Sequence, residues 1–236
     1  MRRTRSSRWD NLARALKNGP LDAPDNHQIF DELFSLAMAE GAIGGSLQGT
    51  VKLLREKPEF LNARKCLDLG GGHGLYSLAF TRINPMLHSV IFDFPGVIDN
   101  VTKKVLSGSD RISMISGDFC GNDLGSGYDF IFASDVLYRQ EAVLRPLLDR
   151  IWSSLDQGGL LISKHLHIDD LRSDSAAVLF DLMFSISGTG SKVYSNADFC
   201  SLLESSGFSI VQIEDISNAA SRSKIIIARK KAREAH

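Results

Sequence analysis

From residue 65 onward the chain alternates short runs of β-branched and aromatic residues with longer stretches whose apolar positions recur at helical spacing. The runs at 65–69, 88–93, 111–116, 128–134, 159–164, 208–214 and 223–228 predict seven strands, and 74–83, 97–106, 140–155 and 196–206 predict helices. Strands that alternate with helices build βαβ units, hence an α/β fold with a mainly parallel sheet and helices on both faces. The last two runs are about eight residues apart, too close for a crossover helix. One of them should therefore run antiparallel, near an edge of the sheet.

Ahead of the sheet, Ile29, Leu33, Leu36, Ala37 and Met38, then Val51, Leu53 and Leu54, predict two helices broken near Gly41–Gly45. Residues 18–26 form a Pro/Gly/Asp/Asn cluster that reads as a loop. The expected organisation is a basic amino-terminal arm over 1–26, a helical lead-in over 27–60 and the α/β domain over 61–236.

The first predicted strand runs into Asp68-Leu-Gly70-Gly71-Gly72-His-Gly74, and a helix follows at once. Glycine is needed where a ligand lies against backbone, and open α/β sheets bind ligands at the carboxyl ends of their strands. The spacing is GxGxG after an acidic residue, so the third glycine comes one residue early for a dinucleotide motif. That favours S-adenosylmethionine, converted to S-adenosylhomocysteine, with Asp68 fixing the amino-acid end directly or through water. The second strand ends at Asp93-Phe94, about 20 positions past the glycine loop, where a carboxylate accepts from both ribose hydroxyls of an adenosyl group. Capping of the next helix is the alternative role for Asp93. After the third strand, Asp118-Phe119 suits an adenine pocket, with Asp118 accepting the exocyclic amine and Phe119 covering the ring. A capping Asp with a core Phe is the plain alternative there. Ser134, ending the fourth strand, completes the candidate cofactor set.

Composition narrows the picture. Apolar residues are 43% and charged residues 23% of 236, the balance of a globular protein, and no apolar run reaches the length of a membrane span. The net charge of -1 hides a segregation: residues 1–17 and 222–236 each carry six Arg/Lys against one acid, leaving 15 basic and 26 acidic residues between them. An acidic body argues against a nucleic-acid groove, and the basic tails read as solvated ends. Cys66, Cys120 and Cys200 are odd in number and far apart, which points to a reducing cytoplasm rather than to disulfides or zinc.

The strings from Cys66 to Gly74, from Ile91 to Ile98 (Ile-Phe-Asp-Phe-Pro-Gly-Val-Ile) and Gly117-Asp-Phe119 resemble the small-molecule O-methyltransferases typified by plant caffeic-acid enzymes, with bacterial relatives. Phe30–Met38, Gly158-Gly-Leu-Leu-Ile162 and Ser195–Phe208 extend the resemblance over roughly 27–230. It implies the class I methyltransferase arrangement of six parallel strands and one reversed, S-adenosylmethionine as donor and a hydroxylated small molecule as acceptor. It also implies a substrate-facing role for Met38. Two features depart from the family. A helical, winged-helix-like dimerisation domain should precede the catalytic part, and about 60 residues stand there. A His-Asp pair should end strand four, the His being the general base, and this chain has Tyr138-Arg139. A phenol with a pKa near 10 is a poor base at pH 7.

The catalytic group is therefore unassigned. Tyr138, Asp135 and His165 are the candidates, with Tyr138 also a candidate acceptor contact. His165 and His167 share a face of an extended strand end, where a metal pair with Asp169 or Asp170 is conceivable; the expectation is no metal. Alternatives to the small-molecule enzyme are a methyltransferase acting on RNA or protein, and a non-catalytic adenosylmethionine-binding subunit needing a partner. A weak homodimer or a hetero-complex is compatible with either.

Overall fold

The computed structural model describes residues 8–22, 32–106, 108–168, 174–218 and 222–232. Seven strands form one sheet in the order β3-β2-β1-β4-β5-β7-β6. They are β1 (Lys65–Leu69), β2 (His88–Asp93), β3 (Ile112–Ser116), β4 (Tyr128–Ser134), β5 (Leu155–His165), β6 (Phe208–Asp215) and β7 (Lys224–Lys230). Neighbours from β3 through β5 are parallel. β7 runs antiparallel to both β5 and β6, as the short connection requires.

The pattern of each strand explains its place. In β7, Ile225 and Ile227 face one side while Ile226 and Ala228 face the other, and all four are buried. That is the pattern of a strand covered on both faces. The edge strand β6 leaves Val211 and Ile213 partly exposed and shifts register between Ile210 and Gln212, a bulge of the kind that blunts an edge. One face carries helices α6 (Glu141–Ser154) and α8 (Asn196–Ser205), the other α3 (Leu47–Leu54), α4 (Pro58–Asn62) and α5 (Leu75–Ile83), once α1 (Leu12–Asn18) and α2 (Glu32–Gly41) are counted ahead of them. α2 and α3 are separated by a turn of π-helix, Ala42–Ser46, in which Gly45 has φ 145°, the break expected near Gly41–Gly45. Ser46 Oγ lies 3.0 Å from the Tyr76 hydroxyl of α5, which ties this lead-in to the helix after the glycine loop.

The pattern of apolar positions did not predict α7 (Ser175–Ser187), nor α1, which belongs to the basic arm. Asp174 caps α7, accepting from the Ala176 and Ala177 N–H groups, and Gly188 ends it at φ 63°. The described part of the arm lies against α7, with the Leu21 N–H donating to the Ile186 carbonyl at 2.9 Å. Among the described residues no helix is long and apolar enough to cross a membrane.

Candidate active site

β1 has β2 on one side and β4 on the other, so the chain reverses its direction of progress across the sheet between β1 and β4. A crevice opens outside the strand ends at such a switch point. The glycine loop leaves β1 there. Its Gly70 N–H donates to the Phe92 carbonyl at 2.8 Å, and the Gly74 N–H donates to the Gly71 carbonyl at 2.8 Å. Gly70 and Gly72 both have positive φ, 66° and 51°, which a side chain resists. They differ in what surrounds them. A Cβ on Gly70 would lie 2.5 Å from Val136 Cγ1, whereas one on Gly72 would meet nothing nearer than Gly70 O at 3.9 Å and Asp93 Oδ2 at 4.0 Å. Packing thus explains Gly70, while Gly72 faces open space. Gly71 and Gly74 are buried in the turn.

The loop is held from beneath. Thr102 donates to the Gly72 carbonyl at 2.6 Å, and Asp93 accepts from the Gly72 N–H at 2.8 Å and from the Phe94 N–H at 2.7 Å. Asp93 does not cap the following segment, 95–105, whose first cap is Phe94 without a side-chain bond. Asp68 is 1% exposed and accepts from the Ser77 hydroxyl at 2.7 Å. The structure therefore places it under the loop, tying β1 to α5. Burial pushes both carboxyls up to about 6, and among the described residues neither makes a salt bridge. Two buried carboxylates without a cation are a costly arrangement unless a ligand supplies donors.

Phe94 is half-buried with its ring 6.5 Å from that of Phe119. Phe119 is buried in the main core, with Cε1 3.6 Å from the point a Gly70 Cβ would occupy. Asp118 is exposed, and its carboxylate accepts from the Cys120 N–H at 2.9 Å. Ser134 donates to Asp135 at 3.1 Å. Met38 on α2 is 46% exposed.

At the ends of β4 and β5 the polar side chains are committed to one another. The Tyr138 hydroxyl donates to Asp135 Oδ1 at 2.9 Å and accepts from the Leu166 N–H at 2.6 Å. Burial and the neighbouring Asp135 carboxylate raise its pKa well above the usual value. Its ring packs on His165, Phe180 and Phe184. His165 Nε2 accepts from the Val136 and Leu137 N–H groups at 3.1 and 2.9 Å, and Nδ1 lies 2.7 Å from Ser163 Oγ. Burial lowers its pKa to about 3, so it is a neutral strut between the end of β5 and the segment that follows β4. His167 is 4% exposed against Phe199. Asp169 and Asp170, the conceivable metal partners, lie outside the described residues, and among those described no three His, Cys, Asp or Glu side chains converge on a metal position. Lys164 was not singled out by the sequence. It is 3% exposed and pairs with Asp135 Oδ2 at 2.6 Å.

Comparison with known proteins bears on this arrangement. The sequence model of the O-methyltransferase domain matches residues 21–209. The chain belongs to the O-methyltransferase family. An uncharacterised protein of Methanocaldococcus jannaschii is 35% identical over 163 residues, 68% of this chain and 43% of that protein. The 3-hydroxy-5-methyl-1-naphthoate 3-O-methyltransferase of Streptomyces sahachiroi is 26% identical over 166 residues, 69% of this chain and 48% of that protein. This O-methyltransferase-family chain thus matches less than half the length of these curated relatives. Among solved structures, human N-acetylserotonin methyltransferase in complex with SAM superposes with a TM-score of 0.80 at 23% identity, covering 98% of this chain and 68% of that one. The fold is that of the class I methyltransferases.

Proposed function

We propose that the chain transfers the methyl group of S-adenosylmethionine to an oxygen of a small hydroxylated acceptor, in a cytoplasmic setting that suits its three free cysteines. The observation that carries this reading is the open space before Gly72, beside an Asp93 carboxylate that no cation partners among the described residues. Such a cradle fits an adenosyl ligand: Asp93 would accept from the ribose hydroxyls, Phe94 and Phe119 would flank the adenine, and Asp118 and Ser134 would complete its rim. Asp68 would act through the loop it supports. The bound donor supplies an electrophilic methyl group on a sulfonium. The protein's part is to hold it and the acceptor oxygen in line and to keep water out, which provides most of the rate in such a displacement. In this reading residues 27–60 form a cap over the donor side and 61–236 the methyltransferase domain, with the arm 1–26 outside the site. The acceptor lies at the ends of β4 and β5, and Met38 contacts it only if α2 closes inward.

The test is transfer of a labelled methyl from S-adenosylmethionine to simple hydroxylated aromatics, N-acetylserotonin and hydroxynaphthoates among them. Label entering an ether product supports the reading; label entering only RNA or protein overturns it.

Two further outcomes follow from the site. Donor binding should strengthen as pH rises from 5 to 7.5. In the free protein Asp93, the carboxylate given a direct contact to the donor, is raised to about 6 because burial penalises its charge. A ligand that donates to ionised carboxylates must displace protons below that pH and none above it, so affinity climbs through pH 6 and levels near 7. Calorimetric titrations at four pH values check this; a flat profile would mean Asp93 does not face the donor. Tyr138→Phe should lower the melting temperature by about 2–6 °C, because Leu166 N–H and Asp135 lose a partner worth about 1–1.5 kcal/mol. With both faces of the hydroxyl already engaged, methyl transfer should fall no more than about tenfold. A thousandfold loss with donor binding intact would make the phenol an acid–base group instead.

A further inference from the structure

Ser134 and Lys164 are paired residues of the parallel strands β4 and β5, at the sheet edge from which the glycine loop springs. Asp135 follows at φ 58°, the sole non-glycine residue with positive φ among those described. Only a few per cent of non-glycine residues adopt this conformation, and it persists where surrounding contacts enforce it. Here the Asp135 N–H donates to the Lys164 carbonyl at 2.8 Å, and the turn brings the carboxylate back over the Lys164 ammonium at 2.6 Å. Ser134 and Tyr138 donate to the same carboxylate. The pair is lopsided: the Lys164 side chain is 4% exposed and that of Asp135 41%. The ammonium also reaches toward the glycine loop. Burial lowers its pKa, but Asp135 and the Tyr76 hydroxyl more than offset this and hold it above the usual lysine value. Its charge contributes, after burial, to lowering His73, the loop histidine whose ring stacks 6.1 Å from Tyr76.

A buried ammonium at this edge would repel a ligand carrying a sulfonium, and the carboxylate of Asp135, whose side chain is 41% exposed, would attract it. Both effects vanish when the methyl group leaves, because the product's sulfur is neutral. We propose that the Asp135–Lys164 pair sets the protein's preference between the cationic donor and its neutral product, Asp135 favouring the sulfonium and Lys164 orienting Asp135 while limiting that attraction. This rests on the donor-site reading above and adds a charge-reading role to two residues outside the glycine loop.

The experiment is calorimetric titration of the full chain with S-adenosylmethionine and with S-adenosylhomocysteine at pH 7. Asp135→Asn removes the anion and suits the backbone, since asparagine tolerates positive φ well. It should shift the affinity ratio toward the homocysteine product by at least about fivefold. Lys164→Met should shift the ratio the opposite way by at least about threefold, and Asp135→Glu, keeping the charge, should leave it within about twofold. Should Asp135→Asn fail to fold, the sign of the Lys164→Met shift decides alone. Equal changes for both ligands in each variant, or shifts of the same sign in Asp135→Asn and Lys164→Met, overturn the proposal. Absence of binding by either ligand to the unmodified chain overturns the donor-site reading instead, and this proposal with it.

Discussion

Gly72→Val should abolish S-adenosylmethionine binding, with at least about a hundredfold loss of affinity, while the protein still folds. A Cβ at this position meets nothing of the chain nearer than Gly70 O at 3.9 Å and Asp93 Oδ2 at 4.0 Å, so the substitution starts from ordinary contact rather than a clash. The cost to stability is the left-handed backbone, φ 51°, about 1–3 kcal/mol for a branched side chain. A ligand lying in that open space would meet both methyls. Gly74→Val makes the contrast: its Cβ would run into Leu106 Cδ1, so that variant should lose the fold before it loses the ligand. Asp93→Ala should fall between, weakening the donor by about 1.5–3 kcal/mol through lost charge-assisted hydrogen bonds. Calorimetry beside thermal melts separates the three. Unchanged affinity in Gly72→Val and Asp93→Ala together would place the donor elsewhere.

Phe80→Ala should destabilise the chain by about 3–5 kcal/mol and lower its melting temperature by about 6–20 °C. Phe80 is fully buried on the inner side of α5, with ring centroids of Phe132 at 5.1 Å, Phe60 at 5.4 Å and Phe130 at 6.0 Å. This aromatic cluster joins α4 and α5 to the central strand β4, so the cavity left by truncation has no flexible wall to collapse. The same helix carries Tyr76 and Ser77, the partners of Ser46 and Asp68, so donor affinity should fall as well. Leu16→Ala, at a position 73% exposed, should stay within about 0.5 kcal/mol. A small effect at Phe80 would mean the helix after the glycine loop is not anchored as described.

The sheet was readable because each strand carries its own local signal. Cys66-Leu-Asp-Leu is an apolar run that encloses one carboxylate and leads into glycines, Val90-Ile-Phe-Asp is an apolar run closed by a carboxylate, and the eight residues between β6 and β7 dictate an antiparallel pair. Helix α7 escaped because Ala177-Val-Leu-Phe-Asp-Leu-Met-Phe184 is apolar on nearly every side, leaving no polar stripe to give it a period. Its markers were the two ends, Asp174 and Gly188. β5 begins at Leu155 rather than 159, directly after α6, where Asp-Gln-Gly-Gly reads locally as a turn.

The juxtaposition of the glycine loop with Asp93 was similarly legible, and the side-chain network at the ends of β4 and β5 was not. Gly72 and Asp93 lie together because consecutive βα units end at one sheet edge, a rule that spacing alone carries. The Asp135–Lys164 pair depends on a left-handed residue and on the register between β4 and β5, neither of which a one-dimensional pattern contains. The shared face of His165 and His167 follows from strand periodicity. That the face turns inward onto Phe199, rather than toward solvent or a metal, depends on where α8 packs. Asp68 shows the same limit: its position in the motif makes it a candidate ligand contact, and only the Ser77 bond shows that it ties β1 to α5 beneath the loop.

The most direct test of the central claim is titration of the unmodified chain with S-adenosylmethionine and, separately, with NAD. A GxGxG loop beside an Asp93 with no salt-bridge partner among the described residues should bind the first at micromolar strength, about -8 kcal/mol, and give no heat of binding with the second. NAD binding at comparable strength, or no response to S-adenosylmethionine from a folded protein, would contradict it.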